Sequence, residues 1–332
     1  MKKYICLGIE STAHTFGVGI IDSSGKVLAD ERAFFESDSG GIKPQDAARK
    51  HIDSAPFIIS KALETAKLEF DDLNLVSFAY GPGLGPCLKV GATCARTIAL
   101  SKNLPLVPVN HCVAHIEIGR LDTKAKDPVI VYVSGGNTQI LSFESGYYRV
   151  FGETLDVGLG NMLDSFGRFF GIGFPAGPVL DEIYFEGKQY VNLPYTVKGN
   201  DLAFSGLLTA AKRLYGKVPK EDLIFSTLHN AFAMLTEATE RVLAYTEKEE
   251  VLLVGGVASS RALQKMMHEM CIARGAELLV PNKKFCTDNG VMIAWAGILK
   301  YLCGKYSDPK KTSIKQRVRV DEEPVFWLKA LF

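Results

Sequence analysis

The stretch "VNHCVAHIEIGRL", which begins at Val109, holds His111 and His115, two of the six histidines in the chain. Four residues apart on a helix, two imidazoles share one face about one turn from each other, the spacing of a metal clamp. The hydrolytic zinc helix reads H-E-x-x-H, with the Glu after the first His as general base. Here that position is Cys112. The pattern therefore offers ligands without the group that would activate a metal-bound water. Taken alone, it also has a plainer reading, with His111 starting a helix on backbone contacts and His115 packed in a core.

Four further stretches are rich in Gly and small polar residues, each after an apolar run: "GIESTAHTFG" (Gly8–Gly17), "YGPGLGP" (Tyr80–Pro86), "VSGGNT" (Val133–Thr138) and "VGGVASS" (Val254–Ser260). Backbone that approaches an anion closely needs Gly, and exposed N–H groups with hydroxyls bind phosphate. None of the four is a P-loop or a dinucleotide-binding G-x-G-x-x-G, which disfavours both of those enzyme classes. Each alone reads as readily as a plain turn after a strand.

The elements that must carry these groups repeat. "YICLGIESTAHTFGVGIIDSSGKVLADERA" reads as strand, polar turn, strand, hairpin "DSSGKV", strand. "VIVYVSGGNTQILSFESGYYRVFGET" follows the same plan, with turn "SGGNT" and hairpin "ESGYY". Helical patterns follow each unit, in "AARKHIDSAPFIISKALETAK" and "NMLDSFGRFFG". A later strand, "EEVLLVGGVASS", leads into the helical "RALQKMMHEMCIAR". A unit used twice, with crossover helices, predicts two similar α/β lobes. Two phosphate turns in equivalent places would pinch a nucleotide between those lobes. The junction is expected in the polar "LDTKAKDP" (Leu121–Pro128).

The bulk numbers agree with a soluble enzyme. At 332 residues the chain is long for one core, and 47% hydrophobic with 23% charged residues is ordinary for a globular protein. A net charge of +1 carries no global signal for nucleic acid or membrane. The opening "MKKYICLGIE" meets Glu10 too early for a signal sequence, and no uncharged apolar run is long enough to span a membrane. Seven scattered cysteines without a C-x-x-C read as reduced thiols, so a cytoplasmic protein is expected.

The strings "GIESTAHTFGVGI", "GPGLGPCLKVG", "VNHCVAH", "YVSGGNTQ", "DVGLGNMLD", "FSGLLTAAKR", "GGVASSRAL" and "CTDNGVMIAWAG" resemble, in order, the motifs of the TsaD-type tRNA threonylcarbamoyltransferases. "DVGLGNMLD" and the tail "KQRVRVDE" resemble the archaeal/eukaryotic branch, the catalytic subunit of the KEOPS complex. The resemblance runs from about Gly8 to Glu322, nearly the whole chain. It implies an α/β fold of two duplicated actin-like (RNase H-like) lobes, with a nucleotide- and metal-binding cleft between them. These are the lobes of actin, sugar kinases and heat-shock chaperone ATPases. They are expected at residues 1–125 and 126–332, the last helix (about 288–304) returning to the first. Some archaeal relatives carry a fused C-terminal kinase; none is expected here.

The resemblance also implies a reaction. Threonylcarbamoyl-adenylate donates its threonylcarbamoyl group to the exocyclic amine of the adenosine beside the anticodon, in tRNAs that read codons starting with A, and AMP leaves. By motif position, His111, His115, Asp288 and Tyr132 would hold one metal ion. Imidazole, carboxylate and phenolate suit iron or zinc better than magnesium. Without the family, Asp288 reads as an N-cap of the helix that follows it and Tyr132 as core. The adenine nucleotide would lie against Tyr132, Val133, Ser134, Gly135 and Gly136. Asp164 would hold the ribose, and Gly177, Asp181 and Ser260 would line the nucleoside. Glu10, Ser11 and His14 resemble the first phosphate motif, with Glu10 and His14 as candidate catalytic groups; the plain reading of Glu10 is a structural turn carboxylate. Three positions depart from the family pattern. Ser260 stands where Asn is usual, Ala176 where Gly precedes Gly177, and Asp181 where Glu is commoner.

Two basic clusters, Lys212/Arg213/Lys217/Lys220 and Lys310/Lys311/Lys315/Arg317/Arg319, are candidate tRNA contacts. The resemblance further implies two KEOPS partners, a small atypical kinase/ATPase and a small dimerising subunit, the latter on the N-terminal lobe. A small-molecule kinase would not need the His111/His115/Asp288 set. A metalloprotease would need the Glu that is missing from "HCVAH". A non-catalytic nucleotide-binding scaffold is the third alternative.

Overall fold

The computed structural model describes residues 3–36 and 41–330. Its chain divides into two compact units, Met1–Leu121 with Ser145–Tyr148 and Thr287–Phe332, and Asp122–Glu144 with Arg149–Cys286. In the first unit β1 (Ile5–Glu10), β2 (Thr15–Asp22) and β3 (Val27–Phe34) form an antiparallel meander. The helix α1 (Pro44–Ala66) leads to β4 (Leu75–Gly81), and α2 (Gly85–Lys102) to β5 (Leu106–Asn110). Both later strands join in parallel, giving the order β3-β2-β1-β4-β5. Helix α3 (His111–Thr123) follows β5 without a loop. The core under this sheet is Leu7, Ile9, Val18, Ile20, Val76 and Phe78, against Ala55, Ile58 and Ala62 of α1 and Ala92 and Ala95 of α2. Alanines on the helices let them lie close to a sheet of large side chains.

The second unit repeats the plan. β6 (Val129–Val133), β7 (Thr138–Glu144) and β8 (Tyr147–Glu153) are followed by α4 (Leu159–Phe169) and α5 (Gly177–Tyr184). Then come the ribbon β9 (Val197–Lys198) and β10 (Asp201–Leu202), and the helices α6 (Ser205–Leu214) and α7 (Lys220–Thr246). β11 (Glu250–Val254), α8 (Arg261–Arg274), β12 (Glu277–Leu279) and α9 (Lys283–Cys286) complete it. The order β12-β11-β6-β7-β8, with β11 parallel to β6 and to β12, is that of the first sheet. The duplicated α/β lobes expected from the two similar sequence units are therefore present. β6, like β2, is buried along its whole length, the pattern of a strand covered on both faces.

The last helix, α10 (Gly290–Leu302), and the tail beyond it belong to the first unit. Glycine sets how closely α10 packs on the sheet. A Cβ on Gly19 would stand 2.1 Å from the Val291 nitrogen, and one on Gly8 2.2 Å from the Ala294 nitrogen. A Cβ on Gly290 would stand 2.1 Å from the Gly19 nitrogen. Two glycines of the first glycine-rich stretch, Gly8 and Gly17, thus lie against this helix and the residue before it. In the "YGPGLGP" stretch a Cβ on Gly81 would meet the Lys315 carbonyl oxygen at 1.9 Å, so this glycine lets the tail approach. The tail is tied there by the Gly83 N–H on the Gln316 carbonyl (3.1 Å) and by Tyr80 Oη on Glu323 (2.9 Å). All seven cysteines are free, and no helix among the described residues is long and apolar enough to cross a membrane.

Candidate metal centre and nucleotide turns

Three elements of the first unit converge on the two histidines. The junction of β5 and α3 places them, because the Asn110 side chain accepts the Cys112 N–H (2.9 Å) and starts the helix with His111 as its first residue. The rings lie one turn apart, 4.7 Å between centroids and nearly perpendicular (86°). The segment before α10 brings Asp288, whose Oδ1 lies 3.2 Å from His115 Nε2 and 3.6 Å from His111 Nε2. Asn289, not Asp288, caps α10, its Oδ1 accepting the Met292 N–H at 2.8 Å. That leaves the Asp288 carboxylate to face the histidines. Arg32 of β3 holds this segment, donating to Thr287 Oγ1 (2.8 Å) and to the Asp288 carbonyl (3.2 Å) while paired with Asp30.

The end of β1 supplies the fourth member. Glu10, 0% exposed, sets Oε2 2.9 Å from His111 Nδ1. Its Oε1 is held by the Thr12 N–H (2.6 Å) and Thr12 Oγ1 (2.5 Å). A carboxylate on Nδ1–H leaves Nε2, on the side facing Asp288, as the nitrogen that can bind a metal once its proton is lost. Burial pushes the His111 imidazolium down, but the carboxylates of Glu10 and Asp288 outweigh it and raise it to about 9. Burial alone would raise the Asp288 carboxyl; His111 and His115 beside it hold it well below the usual carboxylate range. Burial lowers His115, and its bond to Asp288 only partly offsets this. Two buried carboxylates thus demand positive charge at a point where two Nε2 atoms and one Oδ1 already converge. His111, His115 and Asp288 lie within 4.8 Å of one another by their ligand atoms, and the N,N,O donor set fits a transition metal such as iron or zinc.

Glu10→Gln keeps the shape and removes the charge behind His111. Outer-shell changes of this kind typically cost about 10–100-fold in metal affinity. We expect that loss in a competition titration against a chelator; unchanged affinity would show that Glu10 does not act through His111.

The remaining sequence candidates fall as follows. Tyr132 lies on β6 of the second unit and is fully buried, as is Val133. Ser134 closes the next turn, its N–H on the Asn137 carbonyl (2.8 Å), and Gly135 and Gly136 are exposed there. The start of α4 lies against this turn, the Gly160 N–H on the Ser134 carbonyl (3.1 Å). Asp164 Oδ1 accepts the Ala176 N–H (2.8 Å), which anchors the loop leading to Gly177 at the head of α5. Asp181 is bound to the start of α8: it accepts Ser260 Oγ (2.5 Å) and the Arg261 and Ala262 N–H groups (3.1 Å each). The departures at 181 and 260 are therefore in contact, two short side chains paired with each other. His14 stands in the turn after β1 with its ring over Phe34, centroids 6.4 Å apart. The residues that sequence reasoning missed are Thr12, Arg32, Asn110 and Asn289. Only the two caps carried a signal, a polar residue just ahead of an apolar helix.

Residues 26–295 match the family described as TsaD, tRNA N6-adenosine threonylcarbamoyltransferase. The chain is 50% identical over 329 residues to the "probable bifunctional tRNA threonylcarbamoyladenosine biosynthesis protein" of Methanothermobacter thermautotrophicus, covering 98% of this chain but 61% of that one. The chain thus spans about three fifths of the length of that first group of relatives. It is also 50% identical to the "tRNA N6-adenosine threonylcarbamoyltransferase" of Thermococcus kodakarensis, covering 97% of this chain and 99% of that one. Among solved structures, HypF of T. kodakarensis superposes with a TM-score of 0.64 at 14% identity, over 91% of this chain and 48% of that one. That likeness speaks to the fold alone. With its two like-ordered sheets and a family match across most of its length, the chain belongs to the tRNA N6-adenosine threonylcarbamoyltransferase family.

Proposed function

We propose that this chain transfers the threonylcarbamoyl group of threonylcarbamoyl-adenylate to the exocyclic amine of the adenosine beside the anticodon. The substrates would be tRNAs that read codons starting with A, and the chain would act as the catalytic subunit of a KEOPS complex. The observation that carries the reading is the His111–His115–Asp288 group, backed by Glu10, in a chain of this family. The amine nitrogen bonds to the carbamoyl carbon, the bond from that carbon to the phosphate oxygen breaks, AMP departs and one amine proton is released. The adenylate is already an activated acyl donor, so positioning and charge stabilisation suffice, and no Glu base need follow His111.

Bound iron or zinc, held by His111, His115 and Asp288 with Tyr132 as a fourth ligand, would supply Lewis acidity at the carbonyl. Glu10 keeps the His111 proton on Nδ1. The 132–136 turn borders the phosphate, with the N–H groups of exposed Gly135 and Gly136 as its donors, Asp164 takes the ribose, and Gly177, Asp181 and Ser260 border the nucleoside. His14, beside the metal group in sequence motif, faces the donor. The small dimerising partner fits the first unit, where α1 and α2 flank an apolar groove of about 780 Å³ with Ile52 60% exposed. The small kinase/ATPase partner, the tail cluster Lys310–Arg319 as a tRNA contact and a cytoplasmic setting complete the reading.

The test is a transfer assay. Metal-replete chain, partners, threonylcarbamoyl-adenylate and an A-codon-reading tRNA are incubated, the RNA is digested, and mass spectrometry looks for threonylcarbamoyladenosine. Its formation with release of AMP supports the reading. No product with metal and partners present would overturn it.

A further inference from the structure

One surface of the second unit pairs rings with cations. Phe169 and Tyr215, at the end of α4 and just beyond α6, are 44% and 48% exposed and meet edge to face, centroids 5.0 Å apart. Phe170 joins them at 5.1 Å from Tyr215. Lys212 Nζ lies 5.6 Å over the Phe169 ring and also donates to Ser165 Oγ at 3.1 Å. Arg168 and Arg213 are exposed alongside. Ser165, which accepts the Lys212 bond, follows Asp164 in α4, and Arg168 lies one turn beyond Asp164 on the same helix, whose start lies against the Ser134–Gly136 turn.

Solvent does not account for this composition. A solvated basic face needs no aromatic rings, and large apolar rings left half exposed cost free energy unless something covers them. A protein partner would cover rings without calling for three cations around them. Unpaired nucleotides match both features, since each base has a π-face to stack on a ring and each phosphate a charge for a Lys or Arg. Duplex RNA matches only the second, because its bases are already stacked.

We propose that Phe169 and Tyr215, with Arg168, Lys212 and Arg213, form a platform for unpaired nucleotides of the RNA substrate. The platform would hold the single-stranded loop that flanks the adenosine to be modified. This rests on the transfer reading above, and it assigns the loop to the second unit, next to the carboxylate proposed to hold the donor's ribose.

The experiment is fluorescence anisotropy of the full chain with a labelled anticodon stem–loop RNA and, in parallel, an RNA duplex of equal length. Phe169→Ala/Tyr215→Ala is expected to weaken stem–loop binding at least about tenfold and duplex binding little. Tyr215→Phe, which keeps the ring, should bind as the parent does. Lys212→Glu/Arg213→Glu should flatten the slope of log affinity against log salt by about 1.4. Unchanged stem–loop affinity in the alanine variant overturns the proposal. So does an equal loss on both RNAs, an absence of stem–loop binding by the parent chain, or loss of a KEOPS partner with RNA binding intact. The binding assay needs no donor, so the two readings fail separately. Stem–loop binding without threonylcarbamoyl transfer would sink the activity alone, and transfer with unaltered KM for tRNA in the alanine variant would sink the platform alone.

Discussion

His115→Ala, alone or with His111→Ala, is expected to strip the chain of its metal and to slow transfer sharply. The single variant is the cleaner probe. It removes one Nε2 from the converging group but leaves the Glu10–His111 pair, and so a partner of a fully buried carboxylate, in place. The double variant also leaves the buried Glu10 carboxylate without its His111 hydrogen bond, which costs about 1–3 kcal/mol or more. Metal content measured after gel filtration should fall to background in both. Transfer should fall by about 10²–10³-fold, the scale seen when one preorganised electrostatic contact to a transition state is lost. A His115→Ala chain that kept its metal and its rate would mean that the His–His–Asp group is a structural ion-pair cluster.

Gly19→Ala is expected to be as damaging to stability as the histidine changes are to chemistry, although Gly19 touches no ligand. Its added Cβ meets backbone, the Val291 nitrogen at 2.1 Å and the Gly290 carbonyl carbon at 2.4 Å. A side chain could rotate away, but a helix backbone can yield only by moving α10 as a body. Overpacking usually costs 1–3 kcal/mol, and a clash with main chain belongs at the upper end, so we expect about 3 kcal/mol in urea unfolding. Because Asp288 sits two residues before α10, metal affinity should fall with stability. Gly206→Ala is the control, since its Cβ meets nothing within 4 Å and it lies in helix α6; there the change should be neutral or slightly stabilising. Equal unfolding midpoints for Gly19→Ala and its parent would show that α10 and the sheet are not packed backbone to backbone.

Much of this protein was legible in its residues because the controlling interactions are local. The pairing of His111 with His115 follows from helical periodicity alone. The two meanders follow from apolar alternation broken by "SSGK" and "ESGY", and they appear as β1–β3 and β6–β8 in like-ordered sheets. Asp164, Asp181 and Ser260 were legible as polar residues within recognisable motifs, but their hydrogen bonds were not. Asp181 and Ser260 meet across 79 residues of sequence, and neither position announces the other.

Tertiary structure decided what no local rule could. Both Asp288 and Asn289 are good N-caps, and only the extended backbone at Asn289 (φ −154°, ψ 155°) shows which one caps and which one turns to the histidines. Glycine in a sequence says that something approaches closely, never what: at Gly8 and Gly19 it is a helix from the far end of the chain. Glu10 looked like a phosphate-motif acid and stands behind His111, 101 residues away. The sequence by itself determined the pairing of His111 with His115, the repeated lobes and the family. The packing of α10 on β1 and β2 decided the site, because bringing Asp288 to His115 across 173 residues depends on three glycines letting two backbones touch.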